Sequence, residues 1–266
     1  MTAKNYSNNK TILDLGLQPV SNRFIQSGSR ETIPKYPIKV KLDTLNGTVF
    51  LDPTFPVEQI KPRHKWLTCF EPEDHLDNMV EKIISLPNIN NNLIFAGYSF
   101  KDDSTLERLK ARGYRNQWRI DPQKDLSIMD RSASIETFQS VFNLDKAKKI
   151  RQQRGSVDVM IVRHVVEHAY DLPQFVAAIS EMIHEDGYII WELPDCEKAL
   201  EKGDCTTIWE EHLHYFTSFT FKNMLMNSGF TIIHNESVSY PLENSLIVIT
   251  KKILNSKQAC FQIKMF

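Results

Sequence analysis

Residues 157–217 read VDVMIVRHVVEHAYDLPQFVAAISEMIHEDGYIIWELPDCEKALEKGDCTTIWEEHLHYFT, and their patterning decides the fold. VDVMIVRHV is an apolar run of strand length, DLPQFVAAISEMIH repeats apolar residues at helical spacing, and GYIIWELP is a second apolar run. A strand, a helix and a strand in succession make one unit of an open parallel sheet, where ligands bind just past the carboxyl ends of the strands. The acidic, imidazole and aromatic groups of WEEHLHYF follow the second strand and are delivered to that edge.

The alternation continues on both sides. HLDNMVEKIISL (75–86) predicts a helix closed by Pro87, and LIFAGYSF (93–100) predicts the first strand of the sheet. STLERLKARGY (104–114) reads as a helix ending near Gly113, QWRIDP (117–122) as a second strand and SASIETF (132–138) as a third. LDKAKKIRQQRG (144–155) is a charged helix closed by Gly155, and VDVMIVRHV and GYIIWELP are the fourth and fifth strands. SFTFKNMLMNSGF (218–230) is a further helix, and FTIIHNESVSYPLENSLIVITKK (230–252) closes the sheet as an antiparallel hairpin. Residues 1–75 differ in kind: YPIKVKLD and GTVFLD lie among Pro19, Pro34, Pro37, Pro53, Pro56 and Pro62, a pattern of short strands and loops. They are expected to form a compact appendage, with the main domain over 76–253 and a tail over 254–266.

Composition narrows the class. The 266 residues can bury a sizeable core, and 32 basic against 33 acidic groups, for a net charge of -1, give no general pull toward nucleic acid or anionic membrane. MTAKNYSNNKTILDL lacks the apolar centre of a signal peptide and no stretch approaches the roughly 20 apolar residues of a spanning helix, so a cytoplasmic protein is expected. Cys69, Cys196, Cys205 and Cys260 form no CxxC pair, which suits reduced thiols and argues against a zinc knuckle. Nothing in the sequence decides the oligomeric state.

Between about residues 90 and 250, VDVMIVRHVVEHAYDLPQF followed by EDGYIIWELPD resembles the later core of class I S-adenosylmethionine-dependent methyltransferases. LGLQPVSNRF (15–24) and IWEEHLHYFT (208–217) resemble, more narrowly, the sugar C-methyltransferases that act on keto-sugar nucleotides. The resemblance implies a Rossmann-like α/β sheet with a small β-rich N-terminal appendage, S-adenosylmethionine as cofactor and a nucleotide sugar as substrate. The zinc-binding cysteines of that family's appendage are missing, so no metal is expected, and the additional C-terminal domain that many of its members carry is not expected either. An O- or N-methyltransferase on a sugar or small metabolite, and a methyltransferase fold that binds without turnover, remain open.

On this reading Gly97 faces the amino-acid end of the cofactor, with Ser99, Asp102 and Asp103 as hydrogen-bonding groups; the competing role of Asp102 and Asp103 is to cap the next helix. Asp121 ends the second strand, where a carboxylate accepts both ribose hydroxyls, or else it merely makes an Asp-Pro turn. Glu136, with Thr137 and Phe138, would meet the adenine from the end of the third strand. Arg163 and His164 would line the cofactor cleft, whereas Glu167 and His168 read as packing and capping groups.

Methyl transfer to carbon requires a base beside a carbonyl, and histidine suits that task near neutral pH. His212 is the candidate base, with Glu211 fixing its tautomer, as the resemblance implies. The family's Tyr-His-Glu-His becomes Trp209-Glu210-Glu211-His212 here, so Tyr215 is the candidate replacement hydroxyl, and Trp209 and His214 are candidate substrate contacts. Asn22 and Arg23 are expected to reach sugar or phosphate oxygens, the plainer reading of Arg23 being a surface cation. WLTCFEPEDHLD (66–77) reads as the packed hinge into the main domain, with His75 or Glu71 facing the cleft as the alternative.

Overall fold

The computed structural model describes residues 8–61, 71–130, 135–241 and 243–252. Two sheets organise them. The larger has the order β5-β4-β6-β7-β10-β9, built from β4 (Phe95–Gly97), β5 (Gln117–Arg119), β6 (Val157–Arg163), β7 (Ile183–Asp195), β9 (Phe230–Val238) and β10 (Asn244–Lys252). Strands β5, β4, β6 and β7 are parallel, and β10 runs antiparallel between β7 and β9. The closing hairpin is where its sequence pattern places it.

Burial on both faces explains the unbroken apolar runs of the central strands. Val159 and Ile161 of β6, with Tyr188 and Ile190 of β7, pack against α2 (Leu76–Ile84) and α3 (Asp103–Ala111). Their alternates Met160, Val162, Ile189 and Trp191 face the core made with α4 (Ile135–Val141), α5 (Leu144–Arg154), α6 (Leu172–Met182) and α8 (Ser218–Asn227). At about 25 cal/mol per Å² of apolar area buried, this double-sided core is the dominant stabilising contribution. Local signals end the helices: Asn143 and Asp171 accept amide hydrogens as N-caps of α5 and α6, and Gly155, at φ +85°, follows α5.

The smaller sheet, in the order β1-β2-β3-β8, joins β1 (Asn9–Pro19), β2 (Lys35–Asp43) and β3 (Val49–Leu51) to β8 (His214–Tyr215). Its last strand comes from the far end of the chain. The short helix α1 (Val57–Ile60) closes this core with Val20, Val40, Leu51, Phe55 and Ile60, to which Leu213 and Tyr215 also contribute, and α7 (Glu197–Lys202) follows β7 on the outside. Among the described residues no helix is long and apolar enough to cross a membrane.

One element differs from the sequence reading. The third strand expected over 132–138 is absent: Ile135–Val141 are the helix α4, and residues 131–134 lie outside the described residues. Ile135, Phe138 and Phe142 are all buried, a spacing of three and four that serves a helix facing a core.

Candidate active site

Parallel register brings four strand ends to one edge. Gly97 pairs with both Arg119 and Ile161, so Ser99, Asp121 and Arg163, each two residues further on, emerge together, and Arg163 pairs with Glu192 of β7. His164 then turns sharply, at φ +48°, and donates its amide to Glu192 O at 2.7 Å.

A fully buried carboxylate, Glu192, organises the floor of the site. It accepts from Arg163 Nε at 2.5 Å and Ser245 Oγ at 2.8 Å, and it lies 3.2 Å from His164 Nε2 and 2.8 Å from His75 Nε2. Burial alone would raise its pKa, but the imidazoles of His164 and His75 and the charge of Arg163 outweigh that effect and hold it well below the usual carboxylate range. Burial works against the charge of His164 too, and Glu192, Glu71 and Glu167 together raise its pKa above the ordinary histidine value.

Above this floor lie Glu71, Lys101, Glu167, His168 and His212. Lys101 Nζ donates to Glu71 Oε1 at 2.6 Å. Burial raises Glu71, yet His164, Lys101 and His212 bring its pKa down to about 2. Burial pushes Glu167 up to about 7, and its Oε2 has no hydrogen-bond partner among the described residues. His168 Nδ1 donates to Glu211 O at 2.7 Å, which leaves Nε2 unprotonated, 3.8 Å from Glu167 Oε1. Burial and the nearby Lys101 lower His168 to about 3.

His212 is half-buried, its ring centroid 4.8 Å from that of His168 in an edge-to-face contact and 5.2 Å from Trp209. Burial first, then His168 and Lys101, lower its pKa well below the ordinary value, so its imidazole is neutral at neutral pH. Ligand atoms of Glu167, His168 and His212 lie within 4.8 Å of one another, a spacing that would admit a cation. Lys101 stands against one, since its charge already depresses both imidazoles.

Glu167, a residue read from sequence as packing, thus lies beside His212, and Glu71 is a second acid acting on it. Glu211 turns the other way: its Oε1 accepts from Asn22 Nδ2 at 3.0 Å. Consecutive loop residues diverge, and the pairing spans 189 positions. The Tyr215 hydroxyl closes its own loop, accepting from Trp209 N at 3.0 Å and donating to Trp209 O at 3.3 Å. His214 sits on β8, donates from Nε2 to Ala169 O at 2.9 Å and stacks on Phe216. Trp209 Nε1 is bonded to Ser21 Oγ at 2.8 Å. Asn22 and Arg23 are both buried, and Arg23 Nη2 donates to Gln59 O at 2.5 Å, so these groups tie the appendage together.

At the cofactor edge, Asp102 caps rather than projects. Its Oδ2 accepts from Ser99 N at 2.7 Å and its Oδ1 from Arg163 N at 2.9 Å, and burial raises its pKa to about 7. Ser99 Oγ accepts from Lys101 N, and Asp103 pairs with Arg119 at 3.2 Å. Glu136 lies on helix α4 instead of a strand end. Two other groups fit a ligand that joins a ribose to an amino acid. Asp121 commits Oδ1 to the amides of Gln123 and Lys124, while Oδ2 makes no hydrogen bond among the described residues. Arg163 Nη2 is a buried donor without a hydrogen-bond partner among the described residues, and a carboxylate suits it.

Gly97 serves packing at this edge. A methyl group placed on it would lie 2.8 Å from Asp102 Cβ and 3.1 Å from Leu106 Cδ1. Gly97→Ala is therefore expected to cost about 1–3 kcal/mol in urea unfolding. Stability within about 0.5 kcal/mol of the parent would show that α3 yields easily.

The sequence reading passes over Glu192 and Lys101. The available signal for Glu192 was a carboxylate inside the otherwise apolar run YIIWEL; Lys101, in a 3-10 turn beside exposed Phe100, gave none.

Residues 87–235 match a family model described as a methyltransferase domain. Among curated proteins, C-methyltransferase NovU from Streptomyces niveus is 19% identical over 159 residues, covering 60% of this chain and 38% of that protein. The chain therefore spans well under half the length of that relative. Among solved structures, an S-adenosylmethionine-dependent methyltransferase from Clostridium acetobutylicum is 12% identical, covers 69% of this chain and 92% of its own, and has a TM-score of 0.43. The 1,6-didemethyltoxoflavin-N1-methyltransferase of Burkholderia thailandensis, solved with S-adenosylhomocysteine, is 9% identical over 68% of this chain and 78% of its own, with a TM-score of 0.42.

Proposed function

Since the chain belongs to the methyltransferase-domain family, whose reaction draws on S-adenosylmethionine, we propose that it methylates carbon on a nucleotide-linked keto sugar. One observation carries this reading: a half-buried, neutral imidazole, His212, stands at the sheet edge with an acid of pKa about 7, Glu167, beside it. The bound cofactor supplies an electrophilic methyl on a sulfonium. His212 would take the proton from the carbon next to the substrate carbonyl, leaving a carbanion there for the methyl, whose bond to sulfur would break to leave a neutral thioether. Glu167, whose pKa burial raises to about 7, stabilises the imidazolium that results when its carboxyl is ionised. Asp121 would hold the ribose hydroxyls and Arg163 the amino-acid carboxylate. We place the main domain over 76–253 with the N-terminal sheet as an appendage beside the acceptor.

The test is transfer of ¹³C-methyl from labelled S-adenosylmethionine to a panel of nucleotide-linked keto sugars, read by ¹³C NMR of the product. A methyl shift characteristic of attachment to carbon supports the reading. Label on oxygen or nitrogen replaces it with the corresponding acceptor chemistry, and cofactor binding without transfer to any acceptor makes the cleft a binding site.

Glu167 also gives a stability prediction. Its folded pKa of about 7 lies above the ordinary 4.5, so the native state binds the extra proton between those values and stability falls as pH rises through that window. Glu167→Gln is expected to gain about 1–3 kcal/mol of stability above pH 7 relative to the parent, with no gain below pH 4.5. It should transfer methyl more slowly. A pH-independent stability difference would contradict the burial of an ionisable Glu167.

A further inference from the structure

The loop that carries His212 is held from two sides, and one set of contacts has no role in the mechanism above. Ser21 N donates to Glu210 Oε1 at 2.6 Å, Trp209 Nε1 donates to Ser21 Oγ at 2.8 Å, and Asn22 Nδ2 donates both to Glu211 Oε1 at 3.0 Å and to Ile60 O at 2.5 Å. Three consecutive side chains of the loop are thus tied to two consecutive residues of the turn that follows β1. Glu210 and Glu211 are 2% and 7% exposed, so their carboxylates are shielded from water, whereas the Trp209–Ser21 bond lies at the surface. Strand β8 extends the same attachment, with Val49 opposite Tyr215 and Leu51 N bonded to Leu213 O at 2.9 Å.

The second side is the main domain. His168 donates to Glu211 O, and Leu213 N donates to Glu167 O at 2.8 Å. His212 lies between the two sets of anchors. Its backbone N–H closes a local turn onto Trp209 O at 3.1 Å, and its ring rests on Trp209 and His168. The ring's position therefore depends on where Trp209 and Glu210 are pinned.

We propose that the Ser21–Asn22 turn is a positioning device for His212, acting through Glu210 and Trp209, so that the N-terminal sheet holds the base against Glu167 and His168. The proposal rests on the reading of His212 as the base. Trp209 and Glu210 are also the two positions that depart from the Tyr-His of the resembling enzymes. Both side chains end on Ser21, so that departure adds two hydrogen bonds between the loop and the turn after β1.

Glu210→Ala leaves the Ser21 amide without its acceptor and frees the loop, whereas Glu210→Gln keeps an oxygen at the same place. The readout that does not depend on a substrate is the pH titration of His212 Cε1–H by NMR in the full chain. The groups facing that ring are His168 and Glu167 from the turn after β6, His164 at the end of β6, and Lys101 with Glu71 from the opposite wall.

In the parent protein and in Glu210→Gln, His212 is expected to stay neutral down to acidic pH. In Glu210→Ala its midpoint should climb toward about 6.5 as water reaches the ring. With an acceptor in hand, kcat should fall at least about tenfold in Glu210→Ala with the cofactor Kd unchanged, and Glu210→Gln should restore it to within about threefold.

A folded Glu210→Ala whose His212 titrates as in the parent overturns the proposal. So does an equal loss in Glu210→Gln. If Glu210→Ala does not fold, Ser21→Ala decides the matter, since it removes only the acceptor for Trp209 Nε1; an unchanged His212 titration there also overturns it. Failure to methylate any sugar, with the expected NMR shifts present, counts against the acceptor assignment and leaves the positioning intact.

Discussion

Replacing His212 by alanine is expected to slow methyl transfer by about 10²–10⁴-fold while leaving affinity for S-adenosylmethionine within a few-fold of the parent. The expected separation of effects follows from geometry. His212 is on the loop after α7, whereas the groups proposed to hold the cofactor, Asp121 and Arg163, lie two residues past β5 and at the end of β6. The imidazole is neutral because burial and the neighbouring His168 and Lys101 disfavour its charged form, so no proton need be removed before it acts. His214 is the internal control. Its Nε2 is bonded to Ala169 O and its ring stacks on Phe216, so His214→Ala should lower stability more than it alters the chemical step. A His212→Ala protein that retains most of its transfer rate would assign the proton to another group, with Glu167 the first to examine.

Glu192→Ala is expected to be the most destabilising single substitution at the site, by about 3–5 kcal/mol in urea unfolding. The removed carboxylate is fully buried and compensates Arg163, 1% exposed, together with His164 and the adjacent His75. Alanine leaves a guanidinium in the interior with Lys101 O as its remaining acceptor at 2.5 Å, and the Ser245 hydroxyl loses its acceptor as well. Glu192→Gln should cost less, because an amide still offers one oxygen, though it no longer balances charge. The pH dependence has a definite sign. Glu192 titrates well below its ordinary value in the folded protein, so its stabilising contribution is complete above pH 4.5 and is lost as pH falls toward the folded pKa. Unfolding free energies for Glu192→Ala within about 1 kcal/mol of the parent would mean that Arg163 finds water or another anion.

The fold was largely legible in the sequence because its central strands are buried on both faces and bounded by helices with clear periodicity. Val159 and Ile161 against Met160 and Val162 already specify two cores. The exception is instructive. SASIETF carries strand-forming Ile, Thr and Phe, yet the structure continues the apolar pattern to Phe142 at helical spacing, and packing of Ile135, Phe138 and Phe142 overrides local propensity. In the site, the type of each chemical group was readable and its partner often was not. His212 could be singled out by its residue type and its place past a strand end. The pairings of Glu211 with Asn22 and of Glu210 with Ser21 each span 189 residues, and no local pattern encodes them. Tyr215 offered a hydroxyl in sequence that the fold uses to close the Trp209 turn. Asp102 offered a carboxylate that is consumed in capping and in holding the Arg163 amide.

The central claim is that the edge formed by β5, β4 and β6 holds S-adenosylmethionine, and calorimetric titration of the full chain with that compound tests it most directly. The expected result is saturable one-to-one binding that weakens at least about tenfold in Asp121→Ala, as loss of a charged hydrogen-bonding group would cause. Absence of binding at high micromolar cofactor, in protein shown to be folded, would contradict the account.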